Sequence, residues 1–120
     1  MKRLLIAAMI LAATSTPSLG YFVDGNELYK KCNSSTSDSA GVGYMDLSYC
    51  LAYIAGVSDT LDSARANNRL PVCVPVNVQA GQLKDVVTMY LRDNPSVRSM
   101  EANLLVVVAL SDAWGCGTKK

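Results

Sequence analysis

Four cysteines constrain the fold of this 120-residue chain more than any other feature; they are Cys32, Cys50, Cys73 and Cys116. Their number is even, and no two of them have the C-x-x-C spacing of a redox motif or a zinc site. The chain contains no histidine, so a metal site would need all four thiolates or nearby carboxylates. The pattern therefore predicts two structural disulfides, as in other small exported domains, and no metal or other cofactor.

The first twenty residues have the pattern of a secretory signal peptide. A basic start at residues 1–3 is followed by ten consecutive apolar residues, Leu4–Ala13, and then by small, turn-prone residues at 14–20. Ten apolar residues are too few to cross a bilayer, which takes about 20. A buried N-terminal helix would fit the basic start less well. We expect cleavage after Gly20, a single domain over residues 21–120 and no membrane anchor.

The predicted mature chain is nearly neutral. Lys2 and Arg3 belong to the leader, and without them nine basic residues stand against ten acidic ones, a net charge of −1. The basic residues are also dispersed along the chain. Nucleic acids and anionic lipids attract concentrated positive charge, so the composition argues against both as partners.

The first half of the mature chain predicts two helices joined by a polar loop. Asp24 is a candidate N-cap with Glu27 three residues later, which is the spacing of a capping box. Residues 33–43 are rich in serine, glycine and aspartate and predict a loop. A second, amphipathic helix then ends near Arg65. Its apolar positions are Leu47, Cys50, Leu51, Ile54, Val57, Leu61 and Ala64.

The second half predicts two more helices after a proline-stiffened connection at residues 66–77. Asn94-Pro95 is expected to end the third helix and to begin the fourth. The apolar run 104–110 could be a strand on composition, but its flanks continue a helical spacing for about twenty residues. The predicted fold is all-α, a small disulfide-stapled bundle of about four helices. The third helix is marked by Leu83, Val86, Val87, Tyr90 and Leu91.

The order of the helices suggests which cysteines pair. Cys32 ends the first helix and Cys50 lies in the first turns of the second, so a bridge between them would span the polar loop. Cys73 precedes the third helix and Cys116 follows the fourth, and an antiparallel helical hairpin brings those two ends together. We therefore predict the pairs Cys32–Cys50 and Cys73–Cys116.

The sequence offers little catalytic chemistry. Without histidine, Ser-His-Asp and Cys-His machinery is excluded, and oxidised cysteines are not nucleophiles. Asp59 and Asp62 lie three residues apart, and glycosidases use paired carboxylates. The simpler interpretation is that both belong to the solvated stripe of an amphipathic helix. We expect a protein that is not an enzyme.

The predicted second helix also contains Gly56, which costs about 1 kcal/mol relative to alanine in a helix interior. This glycine predicts the close approach of another helix. Four aromatic residues at helical spacing are expected to be mostly core, with one or two at the surface as anchors for a partner. They are Tyr49, Tyr53, Tyr90 and Trp114.

Six segments in a fixed order resemble a known family, the Tai/Rap immunity proteins that protect bacteria from type VI secretion amidase toxins. They are DGNEL at 24–28 leading to Cys32, CLAYIAGVSD at 50–59, CVP at 73–75, GQL at 81–83, YLRDNP at 90–95 and AWGC at 113–116. The chain departs from the family pattern at Gly115, where a proline is usual. It also departs at the start of the third helix, where Gln79, or Asn77 as an alternative cap, replaces serine or threonine.

The resemblance implies a periplasmic, all-helical protein, often a homodimer, that binds a cysteine amidase and covers its active-site cleft. The family pattern does not indicate which surface binds. By elimination, we expect the loop at 67–71 and the polar side of the third helix to contact the partner. The candidate residues are Asn67, Asn68, Arg69, Leu70, Pro71, Gln82, Lys84, Asp85 and Arg92.

Two other functions remain open on the sequence. A small, disulfide-bonded periplasmic chaperone of acid stress would expose apolar surface at low pH, although ten carboxylates are few for a pH trigger. A minimal carboxylate hydrolase of the cell wall would use Asp59 and Asp62. Light scattering of client proteins at low pH tests the first, and incubation with peptidoglycan tests the second.

Overall fold

The computed structural model describes residues 22–37, 40–65, 72 and 74–116, and this part of the chain is helical. No strand forms within these residues; two isolated antiparallel bridges pair Asp24 with Glu101 and Val72 with Gly115. The prediction of an all-α, four-helix fold is confirmed. None of the helices in the described residues has the length and apolarity to cross a membrane. The elements are α1 (Gly25–Cys32), α2 (Val42–Arg65), α3 (Ala80–Asp93), a 3-10 turn (Pro95–Val97) and α4 (Ala102–Trp114).

Helix α1 begins and ends where the sequence predicts. The Asp24 side chain accepts a hydrogen bond from the backbone N–H of Glu27 at 2.8 Å, which satisfies one of the free donors at the helix N-terminus. At the other end, the Asn33 side chain donates to the carbonyl of Tyr29 at 2.7 Å. The helix therefore holds Cys32 in its last turn.

Helix α2 begins at Val42, inside the segment 33–43 that was predicted to be a loop. Gly41, with φ of 71°, provides the left-handed turn that leads into it, a conformation that glycine adopts without strain. The first turn was missed because its side chains are not part of the core. Tyr44 and Met45 are exposed, so they add nothing to the apolar period on which the prediction rested.

The junction between α3 and α4 differs from the prediction. Asn94 ends α3 as expected, since its backbone N–H donates to the Tyr90 carbonyl at 3.0 Å. However, Asn94-Pro95 starts only a 3-10 turn, and α4 begins at Ala102 and has 13 residues rather than about twenty. The reason is tertiary: the N–H of Ala102 donates to the Val23 carbonyl at 3.0 Å. Residues 98–101 therefore pair with the start of α1 and the residues just before it instead of forming a helix.

Helix α3 begins at Ala80, with Gln79 rather than Asn77 in the N-cap position. The backbone N–H of Gln79 donates to the Gln82 side chain at 3.3 Å. This bond is one half of a capping box, so glutamine replaces the usual serine or threonine without loss of the helix start.

The core lies between all four helices and contains the first predicted disulfide. Cys32 and Cys50 are bonded, with 5.2 Å between their Cα atoms, and both are buried. Cys116 is also disulfide-bonded, but Cys73 lies outside the described residues, so the pair Cys73–Cys116 stays a prediction. The largest fully buried side chains are those of Leu28, Ile54, Leu91, Leu105, Leu110, Val87, Val106 and Cys50.

The close packing that the sequence suggested at Gly56 is found instead at Gly25. A Cβ placed on Gly56 would meet nothing within 4 Å, so no helix among the described residues packs directly against it. The interpretation of Gly56 as an intramolecular contact point is wrong. Gly25 is the crowded one: a Cβ there would lie 2.5 Å from Leu105 Cδ1 and 2.8 Å from the Arg98 carbonyl oxygen.

Candidate protein-binding surfaces

Three surfaces of the described structure are candidates for binding another protein. The first is formed by the outer sides of α2 and α4. The second is a groove on the other flank of α2. The third is the exposed side of α3, where the sequence predicted partner contacts.

The first surface carries no charged side chain, and we call it the uncharged face. Between Asp46 and Asp59, α2 has twelve uncharged residues, and α4 has ten from Ala102 to Ser111. An ordinary surface helix directs charged or polar residues to solvent, yet here the solvent side presents exposed methionine, tyrosine and leucine. The face consists of Met45, Tyr49, Tyr53, Gly56, Asn103, Leu104 and Val107.

Helices α2 and α4 meet in a shallow groove of about 260 Å³ within this face. Gly56 and Val57 line one wall and Asn103 and Val107 line the other. The open side of Gly56 therefore lies where the two helices come together. A side chain from another molecule could enter the groove without displacing any atom of this chain.

Two stacked tyrosines extend the uncharged face along α2. The rings of Tyr49 and Tyr53 lie 6.1 Å apart with an angle of 18° between their planes. Burial raises the pKa of Tyr53, with a further contribution from Tyr49. Of the four aromatic residues noted in the sequence, Tyr49 is exposed, whereas Tyr53, Tyr90 and Trp114 pack half-buried against the core.

An ion pair closes one end of the uncharged face. Lys31 Nζ lies 3.2 Å from Asp46 Oδ1 and 4.8 Å from the centroid of the Tyr49 ring. Hydrogen bonds from Ser34 and then from Lys31 lower the pKa of Asp46. This cluster ties the end of α1 to the start of α2, so it also orients Tyr49.

The second surface, which we call the Val76 groove, lies between α2 and the segment before α3 and has a volume of about 540 Å³. Asp59 and Asp62 form its acidic wall, and the opposite wall is apolar. Val76 is fully exposed (107%) at the tip of a turn closed by a 3.1 Å hydrogen bond from the N–H of Val78 to the Pro75 carbonyl. Its lining residues are Ser58, Asp59, Asp62, Val74, Pro75, Val76, Val78 and Leu83.

The predicted partner-binding residues are only partly assembled. Residues 67–71 lie outside the described residues. On α3, Gln82, Asp85 and Arg92 share one exposed side, whereas Lys84 is directed toward the core flank and its side chain is only 26% exposed. Each of these charged groups already has a charged neighbour on α3: Lys84 pairs with Asp85 at 2.9 Å, and Arg92 pairs with Asp93 at 2.8 Å.

Sequence reasoning noted several residues of the other two surfaces, such as Tyr49, Gly56 and Asp59, but did not group them into binding surfaces. The uncharged run in α2 was a usable signal, because a surface helix of three turns without charge is unusual. No comparable signal indicated Val76, whose role as the tip of a turn depends on how the segment 74–78 packs beside α2.

The comparison with known families covers nearly all of this structure. A family model described as Rap1a immunity proteins matches residues 24–116, from the N-cap of α1 to the last cysteine. The chain belongs to the Rap1a immunity protein family. No curated protein matches it with significant similarity. As a Rap1a protein it is an immunity protein, and its partner is a toxin.

Proposed function

We propose that this Rap1a protein acts in the periplasm, where it binds and inhibits a type VI secretion amidase toxin that cleaves peptidoglycan. The observation that carries the proposal is the family match over residues 24–116. The predicted leader at residues 1–20 supports export, and the Cys32–Cys50 disulfide suits an oxidising compartment. The amidase as target comes from the resemblance of six sequence segments to the Tai/Rap immunity proteins.

The inhibitor acts by binding rather than by chemistry of its own. Covering an active-site cleft requires a surface that keeps its shape, because ordering a flexible surface on binding lowers affinity. The disulfide and the core packed between the four helices provide such a scaffold. A stable contact of standard size buries about 1,600 Å² in total, which a domain of this size can supply.

The functional homodimer forms through the uncharged face. An apolar, uncharged face is poorly solvated by water and is best covered by another apolar surface. A second copy of the chain offers a surface of the same composition. Interfaces between permanent partners are depleted in charge and enriched in tyrosine and methionine. Gly56 lies near the middle of the face and is open, so two α2 helices related by a two-fold axis can cross closely there.

Sedimentation equilibrium of two matched variants tests the dimer. Gly56 and Gly81 are both helical, exposed and free of neighbours within 4 Å, but only Gly56 is in the uncharged face. Gly56→Arg should weaken self-association at least about tenfold, since it places a charge in an apolar contact, while Gly81→Arg should not. A dimer that survives Gly56→Arg unchanged, or a monomeric wild type, contradicts this interface.

Calorimetric titration of the mature, oxidised protein against a type VI secretion amidase, taken from the neighbouring gene where one exists, tests the function. We expect nanomolar binding together with loss of peptidoglycan cleavage. The absence of both binding and inhibition would contradict the proposed target.

A further inference from the structure

We propose that the Val76 groove is the surface that binds the toxin. The toxin surface that faces it would have a shallow apolar pocket that receives Val76 and basic side chains at the rim of that pocket that face Asp59 and Asp62. This inference rests on the proposed function, because it names the contact through which the inhibitor would bind. It replaces the exposed side of α3 as the expected site.

The turn at Pro75–Val78 presents Val76 as a preformed anchor. The ring of Pro75 restricts the backbone, and the hydrogen bond from Val78 N–H to the Pro75 carbonyl closes the turn. Next to the turn, Val72 is buried and bridges to Gly115 at the end of α4. Val76 therefore projects fully into solvent from a restrained backbone, and apolar anchors that need little ordering are effective centres of protein interfaces.

The acidic wall of the groove sets the chemistry of the partner. Asp59 and Asp62 are three residues apart on α2, so they lie on the same side of the helix. Both are exposed, and neither forms an ion pair with any side chain that the structure describes, a set that leaves out residues 63–71. The charges on α3 differ, since Lys84, Asp85, Arg92 and Asp93 pair with one another. Two carboxylates beside an apolar anchor complement a basic rim around an apolar pocket.

Charge also excludes a second copy of this chain as the occupant of the groove. A two-fold contact would bring the Asp59 and Asp62 carboxylates of both copies together, and such like-charge contacts are unfavourable. At about 100° per residue, the groove lies roughly a third of a turn around α2 from the uncharged face. Dimer and toxin can therefore bind the same helix on different sides.

Calorimetry and cleavage assays with the full mature protein and the same amidase in its active form test the assignment. Val76→Asp should weaken binding at least about tenfold. Asp59→Lys with Asp62→Lys should weaken it by a similar factor and remove most of the salt dependence of the wild-type affinity. The matched control is Phe22→Asp, which places the same charge at an equally exposed apolar position (101%) far from the groove in sequence, and should change affinity less than about twofold.

The outcomes separate this inference from the proposed function. If wild type inhibits the amidase and both groove variants inhibit equally well, the groove is not the docking surface. If the wild-type protein neither binds nor inhibits the amidase, the proposed function is contradicted, and with it the assignment of the groove. Circular dichroism and thermal unfolding establish that each variant is folded; Val76 is fully exposed, so its substitution leaves the core intact.

Discussion

Gly25 and Gly56 are both helical glycines, but they lie in opposite environments. Around Gly25, the first two residues of α1 hydrogen-bond to residues 98–100: the N–H of Gly25 donates to the Met100 carbonyl at 3.0 Å, and the N–H of Asn26 donates to the Arg98 carbonyl at 2.9 Å. Around Gly56, the backbone is open to solvent within an apolar face. We call the first region the Gly25 junction.

The difference shows how this molecule divides its two tasks. The Gly25 junction is filled by its own chain, and Arg98 strengthens it by donating to the Leu91 carbonyl at 2.5 Å and by covering the Tyr29 ring at 3.8 Å. The uncharged face is not filled by any of the residues that the structure describes. Close packing in the first region maintains the scaffold, and the open second region is available to another molecule.

The largest expected effect comes from removing the covalent link between α1 and α2. Cys32→Ser with Cys50→Ser should lower the free energy of unfolding by about 3 kcal/mol, because the bridge closes a loop of 18 residues. Urea denaturation with a constant slope measures the change. The Gly25 junction depends on α1 being held in place, so a loss below about 1 kcal/mol would mean that its hydrogen bonds alone suffice.

Adding one methyl group at Gly25 should produce the next largest effect. Gly25→Ala is expected to cost about 1–3 kcal/mol, since the new Cβ would overlap the Arg98 carbonyl oxygen as well as Leu105. The backbone of residue 98 is hydrogen-bonded in place and cannot move aside freely. An unchanged unfolding midpoint in urea would show that the junction is looser than its distances indicate.

The same substitution at Gly56 should have the opposite sign. Gly56→Ala is expected to stabilise the monomer by about 0.5–1 kcal/mol, because alanine restricts the unfolded chain and meets no neighbour in the folded one. Gly81→Ala, in the first turn of α3, serves as the control. Thermal unfolding at high dilution, where the proposed dimer dissociates, measures both. Destabilisation at Gly56 alone would remove the contrast between the two regions.

Acidification should have the smallest effect on stability, and the contributions of two carboxylates, Asp46 and Asp93, should differ in size. Asp46 links the end of α1 and the following loop to α2 through Lys31 and Ser34, whereas Asp93 pairs with Arg92, its neighbour in the chain. Both pKa values are lowered, so each contribution is present above the ordinary carboxyl pKa of 3.8 and is lost as the pH falls through the lowered value.

Asp46→Asn should therefore reduce the melting temperature at neutral pH more than Asp93→Asn does. Both differences from wild type should disappear at strongly acidic pH, where wild-type carboxylates are protonated as well. Melting temperatures of the three proteins across the acidic range measure this. Equal effects of the two substitutions at neutral pH would mean that the link from α1 to α2 adds nothing to stability.

Some features could be predicted because they depend on neighbours along the chain. The cap at Asp24, the end of α1 at Cys32 and the end of α3 at Asn94 each depend on hydrogen bonds within four residues. The Cys32–Cys50 bridge followed from a loop that joins two helix ends. The start of α4 could not be predicted, since residues 98–102 bond to a segment more than seventy residues earlier.

The candidate site was predicted less well for the same physical reason. Hydrophobic periodicity in the chain identifies the side of a helix that faces the core, and it located Ile54 and Leu91 among buried residues. It does not tell which outward sides stay uncovered. Only packing decided that Gly25 is enclosed, that Gly56 is open and that Val76 stands beside Asp59 and Asp62, because each of these facts depends on atoms brought together from distant parts of the chain.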